Sequence, residues 1–246
     1  SSCTGTLISK KHILTNAHCV FEGVRYFYTE KVITDLWKKT FRFYPNYREN
    51  SNNNKTTSSS WKKLYYPKVF QQNKNQKDMN ENDWAIIELQ DNLGEDYGYM
   101  ELKSFDYDEY KIDRFQNTVN LVGYSGDLYN SNPGAHYNCS IKSIMEYATR
   151  GKFGSRIFVR QLAHDCDSTK GSSGSALYFY ENGKPFIVAL HHASFTKGES
   201  DFIPIDVYSE RYANLAIKTS DIVSTLKSIK EEDDGNNSDY NLPEKG

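Results

Sequence analysis

Short runs rich in β-branched and aromatic residues recur along this chain between polar turns, a texture that predicts strands. In the first half they fall at Thr6–Ile8, His12–Thr15, Arg25–Tyr28, Phe41–Tyr44, Lys63–Val69 and Trp84–Leu89. A second set follows at Thr118–Tyr124, Asn138–Met145, Arg156–Arg160, Ser175–Tyr180, Phe186–His191 and Asn214–Ile217, with turn signals at Asn132-Pro133-Gly134 and Glu181-Asn182-Gly183. The spacing predicts an all-β chain of two consecutive barrels. One segment departs from it. Ile222, Val223, Leu226 and Ile229 recur at helical spacing behind Ser220 as an N-cap and Asp221 as a partner for the helix dipole, so Ser220–Ile229 is expected to be a helix. The Asn-, Thr- and Ser-rich stretch 46–60 and the polar stretch 71–82 offer little to bury and are expected to be surface loops. The acidic, Gly/Asn-rich end of the chain is expected to be a disordered tail.

The chain's 246 residues are enough for two barrels of about 100 residues each. With 30 basic and 32 acidic side chains, its formal charge of −2 provides no field for a polyanion, so neither nucleic acid nor a membrane surface is expected as a partner. No apolar run is long enough to span a bilayer. The four cysteines suit two disulfides, with four buried thiols as the alternative, and no Cys-x-x-Cys or His-Glu-x-x-His spacing points to a metal. Disulfides and the sequons at Asn54, Asn138 and Asn236 favour a secretory destination.

Three segments carry the chemistry: Asn16-Ala17-His18-Cys19, Asn82-Asp83-Trp84-Ala85 and Lys170-Gly171-Ser172-Ser173-Gly174-Ser175-Ala176. A serine hydroxyl is a weak nucleophile at neutral pH. It needs an imidazole to take its proton, and the imidazole needs a buried carboxylate to fix its tautomer and stabilise its charged form. Ser173, His18 and Asp83 can fill these roles, while the N–H groups of Gly171 and Ser173 can hold an oxyanion. The order His, Asp, Ser is neither that of α/β-hydrolases nor that of subtilisins, and Gly-x-Ser-Gly lacks the last glycine of a hydrolase elbow.

On these segments, together with Thr4-Gly5-Thr6-Leu7-Ile8 and Asp83-Trp84-Ala85-Ile86-Ile87-Glu88-Leu89, the chain resembles the trypsin-like serine peptidases from residue 3 to about residue 226. The nucleophile block Asp167-Ser168-Thr169-Lys170-Gly171-Ser172-Ser173-Gly174-Ser175 is similar to that of the glutamyl-endopeptidase-like branch. The resemblance implies two six-stranded antiparallel β-barrels of chymotrypsin type with a C-terminal helix. The expected divisions are residues 1–112 for the barrel bearing the His and Asp, 113–218 for the barrel bearing the nucleophile and pocket, 219–231 for the helix and 232–246 for the tail. It also implies a Cys3–Cys19 bridge, which leaves Cys139 and Cys166 as the second pair. The family normally has further residues upstream, so a signal or pro-segment is expected to precede this chain. Ser172 stands where trypsin has the aspartate that pairs with a freed N-terminus, so that zymogen switch is not expected.

By the same resemblance, the walls of the specificity pocket are Asp167, Ser168 and Thr169 on one side and the strand carrying His191 and His192 on the other. Adjacent strand residues point to opposite faces, so at most one of the two histidines should line the pocket, and His191 holds the matching position. His191 and Ser168 together favour cleavage after Glu. Asp167, six residues before Ser173, argues instead for Lys or Arg. The expectation is therefore a secreted, monomeric serine endopeptidase acting on protein or peptide substrates without cofactor or metal. The alternative is a catalytically inactive protease-fold binding module.

Overall fold

The computed structural model describes residues 3–21, 41–47, 57–72, 76–105, 112–126, 132–150, 156–194 and 213–233. Its strands fall into two sheets. The first contains β1 (Thr6–Leu7), β2 (His12–Thr15), β3 (Trp61–Tyr65) and β4 (Ala85–Leu89), all antiparallel in the order β1-β2-β4-β3. The second contains β5 (Glu101–Leu102), β6 (Val119–Tyr124), β7 (Pro133–Cys139), β8 (Ile141–Arg150), β9 (Arg156–His164), β10 (Ala176–Glu181), β11 (Lys184–Ser194) and β12 (Asn214–Lys218). Its order is β7-β6-β10-β11-β12-β9-β8, with β5 parallel beside β11. Among the described residues, no helix is long and apolar enough to cross a membrane.

β2 and β4 are buried along their whole length because each carries apolar residues to both faces. Ile13 and Ile87 enter the core of the first sheet with Leu7, Val20, Trp61 and Phe70. Their neighbours Leu14 and Ile86 point the other way, with Ile8 and Trp84, onto Ala176, Ile187, Leu190 and Ile217 of the second sheet. Strand alternation thus lets two strands serve one barrel core and the seam between the barrels. The C-terminal helix Ser220–Asp233 closes that seam with Ile222, Leu226 and Ile229. Each such side chain contributes roughly 1.5–3 kcal/mol on burial. The core of the second sheet is separate and includes Phe115, Leu121, Ile141, Leu162, Leu177 and Val188.

Several expectations change in detail. The strand expected over Lys63–Val69 ends at Tyr65. Pro67 has no N–H for the ladder, and a short helix follows at Lys68–Gln72. The stretch 71–82 is not simply a loop, because Gln76–Glu81 is helical and rests on β9: Gln161 Nε2 donates to the Asn80 carbonyl and the Arg160 N–H to Glu81 Oε1. The single strand expected over Asn138–Met145 is divided at Ser140. Asn138 is left-handed there (φ 60°), and the Ser140 N–H is taken by Asp165 Oδ1 at 2.6 Å. Asn132-Pro133-Gly134 is not a turn at its centre: Pro133 opens β7, an edge strand where a missing N–H is tolerated. The second expected turn is where it should be. Asn182 and Gly183 are both left-handed (φ 52° and 76°) and join β10 to β11 as a tight hairpin. The helix starts with the Thr219 carbonyl accepting the Val223 N–H, so Ser220 lies inside its first turn and is not its cap. The run Arg25–Tyr28, most of the 46–60 stretch and the tail from 234 lie outside the described residues.

Candidate active site

β2 and β4 are antiparallel with Thr15 opposite Ala85. The residues just beyond the end of β2 and just before the start of β4 therefore emerge at one rim, which brings Asn16–His18 to Asp83. Asn16 Nδ2 donates to the Asp83 carbonyl at 2.7 Å, and the His18 N–H donates to Asp83 Oδ1 at 2.6 Å. The His18 ring places Nδ1 2.5 Å from Asp83 Oδ2. The Cys3–Cys19 disulfide ties the residue after His18 back to the chain start, and Cys139–Cys166 ties β7 to the segment that enters the nucleophile turn. With Nδ1–H facing a carboxylate, Nε2 keeps the lone pair that a general base needs.

Asp83 is only 1% exposed. Burial alone would push its pKa up. The hydrogen bonds from His18 and His192, and the charge on those rings, outweigh burial and hold it well below the ordinary carboxylate range. His192 is the unexpected member. Its Nδ1 lies 2.6 Å from the same Oδ2, and its ring meets that of His18 edge-on with centroids 6.1 Å apart. A register shift between His191 and Ala193 on β11 accompanies this placement. His192, placed by the resemblance on the strand of the pocket wall, thus turns to the carboxylate, in keeping with the expectation that at most one of the two histidines lines the pocket.

Ser173 lies in the turn between β9 and β10, which several backbone contacts hold in place. The Thr4 N–H donates to the Ser173 carbonyl at 2.9 Å, the Gly174 N–H to the His191 carbonyl at 3.1 Å, and the Gly126 N–H to the Lys170 carbonyl at 2.7 Å. Gly171 and Gly174 are left-handed (φ 104° and 86°). A Cβ on Gly171 would lie 2.8 Å from the Tyr124 carbonyl oxygen, and one on Gly174 would lie 2.2 Å from that of Thr4, so the turn requires both glycines. Among the described residues, the N–H groups of Gly171 and Ser173 have no acceptor, as a preformed oxyanion hole requires. No hydrogen bond joins Ser173 Oγ to His18 Nε2 among the described residues. Such contacts are commonly loose until substrate binds.

His191 is buried and its Nδ1 lies 3.1 Å from Nε2 of His164, itself fully buried. Burial, followed by the neighbouring histidines, pushes the His191 pKa well below its ordinary value, and burial pushes that of His164 down to about 3, so both rings are neutral at pH 7. Ser168 Oγ is buried without a hydrogen-bond partner among the described residues. Thr169 is exposed and bonds Ser125 through its hydroxyl at 2.7 Å. Asp167 is exposed, and its N–H donates to His136 Nδ1 at 2.6 Å. Neither His164 nor His192 stands in a motif that marks its role, since both depend on which strands become neighbours.

Comparison with protein families matches residues 1–216 to the family described as Trypsin. Among solved structures, one described as a Glu endopeptidase in complex with MPD superposes with a TM-score of 0.57 at 21% sequence identity, covering 93% of this chain and 85% of the other. At that identity the likeness shows the fold, two β-barrels of chymotrypsin type. No curated protein matches.

Proposed function

The chain belongs to the trypsin family, and from that premise we propose that it is a secreted serine endopeptidase that prefers Glu at P1. The observation that carries the peptidase assignment is buried Asp83 bonding both the backbone N–H and the Nδ1 of His18, at 2.6 and 2.5 Å. Ser173 Oγ attacks the scissile carbonyl as His18 Nε2 takes its proton. Asp83 stays ionised throughout and stabilises the imidazolium that forms. The oxyanion settles between the N–H groups of Gly171 and Ser173, each such donor supplying roughly 3–4 kcal/mol of barrier reduction. His18 then returns its proton to the leaving amine. The acyl-enzyme is hydrolysed by water through the same two proton transfers.

The Glu preference rests on His191 and Ser168. Among the described residues the buried Ser168 hydroxyl has no partner and is a donor awaiting an acceptor, and the neutral imidazole of His191 can supply a second hydrogen bond to a carboxylate. Exposed Asp167, held through its backbone, does not supply the buried negative charge that a Lys or Arg side chain would seek. The test is a cleavage profile on an unbiased peptide mixture, comparing the protein with Ser173→Ala. Ser173-dependent cuts after Glu support the full proposal. Cuts after Lys or Arg overturn the specificity, and the absence of Ser173-dependent cuts overturns the peptidase.

A further inference from the structure

Among the described residues, three clusters gather metal-ligating side chains: Cys3 with His18 and Cys19, Cys139 with Asp165 and Cys166, and His18 with Asp83 and His192. In the first two the sulfurs are committed to disulfides. In the third no donor is covalently engaged, and the three donor atoms lie within 4.8 Å of one another. We propose that His18, Asp83 and His192 form an inhibitory site for a borderline divalent cation, with Zn2+ the best fit. The inference rests on the assignment of His18 and Asp83 to the catalytic pair, and its test is chosen to be read without turnover.

His192 is what makes the cluster a site. A His–Asp pair alone offers a cation two protein donors. The second imidazole raises this to three, with the open fourth position that a water can fill, the pattern of exchangeable zinc sites. Two imidazoles and one carboxylate suit zinc and its transition-metal neighbours, whereas calcium and magnesium seek oxygen donors. The cost also falls out of the geometry. Both Nδ1 atoms now sit 2.5 and 2.6 Å from Oδ2, while two bonds of about 2.0–2.1 Å at a tetrahedral angle set donors about 3.3 Å apart. Each ring must therefore withdraw by less than about 1 Å. The His18 and His192 side chains are partly exposed, at 19% and 11%, and have room to do so, while Asp83 stays anchored through Oδ1. That opening makes the site weaker than a preformed four-ligand structural zinc site.

The consequence for catalysis follows from proton accounting. Each Nδ1 now spends its N–H on Asp83. When the cation binds, each Nδ1 lone pair goes to the metal and the Nδ1 proton relocates through solvent to an unprotonated Nε2, so this exchange itself releases no proton. His18 Nε2 then carries a hydrogen and cannot accept the proton of Ser173. The cation also draws off the negative charge of Asp83 that would stabilise an imidazolium. Zinc therefore stops the reaction by occupying the base and its carboxylate together, without blocking the peptide cleft.

The test uses zinc alone, without chelator or reductant, titrated by calorimetry into the full chain carrying Ser173→Ala, and again into Ser173→Ala with His192→Ser. The expected result is one-to-one binding that weakens by more than about tenfold when His192 is lost, since even outer-shell partners of metal ligands are worth 10- to 100-fold. Cobalt(II) in place of zinc should give visible absorption bands of a tetrahedral site, and these should vanish with His192→Ser. His192→Gln, whose amide can still donate to Asp83, provides a second variant if the serine protein does not fold. No one-to-one binding, or equal affinity with and without His192, overturns the site. In the unmodified protein zinc should inhibit peptide cleavage reversibly. Zinc binding through His192 in a chain that cleaves nothing would overturn the proposed activity and leave the site standing.

Discussion

Two pairs of imidazoles lie side by side in this molecule in opposite surroundings. His18 and His192 share one oxygen of a buried carboxylate at 2.5 and 2.6 Å, and both keep some contact with solvent. His164 and His191 are buried, face one another at 3.1 Å, and His164 Nδ1 has no partner among the described residues. The first pair is supplied with negative charge and can carry a proton. The second is desolvated and held neutral, so it can recognise a group by hydrogen bonding but not by charge. His191 and His192 are consecutive residues, so it is the peptide between them that crosses from one regime to the other. Under the proposed function, what would separate base chemistry from recognition is the presence of Asp83 on one face of β11 and its absence on the other.

Asp83→Asn breaks the first pair most directly. An amide cannot stabilise an imidazolium, and it favours the wrong His18 tautomer, so kcat at pH 7 should fall by about 10^4-fold. Steady-state kinetics on a Glu-containing peptide measure this. A fall of tenfold or less would mean that His18 does not depend on Asp83, and the contrast between the pairs would lose its basis.

His191→Leu probes the second pair. It removes the ring without touching Asp83, so turnover should survive on substrates that do not need the pocket. The ratio of kcat/KM for Glu over Gln at P1 should drop by about tenfold, the difference between a hydrogen bond to a charged acceptor and one to a neutral acceptor. An unchanged ratio would remove His191 from recognition and leave the pair a purely structural one.

Acid stability follows from the same burial. An imidazole has an ordinary pKa of 6.5 when unfolded, and that of His164 is pushed down to about 3 in the fold. Below pH 6.5 the unfolded chain takes up a proton that the folded chain refuses, so stability is intact above 6.5 and is lost as the pH falls towards 3. Such a group costs about 1.4 kcal/mol per pH unit over that window, and buried His191 acts in the same direction. Urea unfolding at pH 7 and pH 5 should show the protein about 2 kcal/mol less stable at the lower pH for His164 alone. His164→Leu should flatten that slope, and an unaltered slope would show that other groups control it.

How much of this was legible in the chain depends on where each contact comes from. The contact between His18 and Asp83 was anticipated by the segments Asn16-Ala17-His18-Cys19 and Asn82-Asp83-Trp84-Ala85 and their resemblance to trypsin-like peptidases, and the two residues do meet. The tight turn around Ser173 was legible because its glycines declare a backbone that other residues rarely adopt. The helix Gln76–Glu81 was hidden, since its polar sequence has no apolar stripe and its hold on β9 comes from Asn80, Glu81 and Gln161. His192 was hidden for a similar reason. Two adjacent histidines on a strand announce opposite faces, but which one meets Asp83 is decided by the irregularity between His191 and Ala193 and by how the two sheets dock.

His192 substitutions test whether that ring matters to the base as well as sitting beside it. Its hydrogen bond helps to hold Asp83 ionised and oriented against the cost of burial, so removing it should loosen the carboxylate without abolishing the His18 bond. His192→Phe removes the donor but keeps a flat ring and should lower kcat by about tenfold, near the lower end of what a hydrogen bond to a charged group contributes. His192→Ser can return a hydroxyl donor to Oδ2 and should recover part of that loss. Partial rescue by serine would distinguish bonding from packing, because serine restores the donor but fills less space than phenylalanine. If phenylalanine is instead the more active of the two, His192 serves Asp83 by filling space and excluding water, and only His18 should then be counted as a hydrogen-bond partner that tunes the carboxylate.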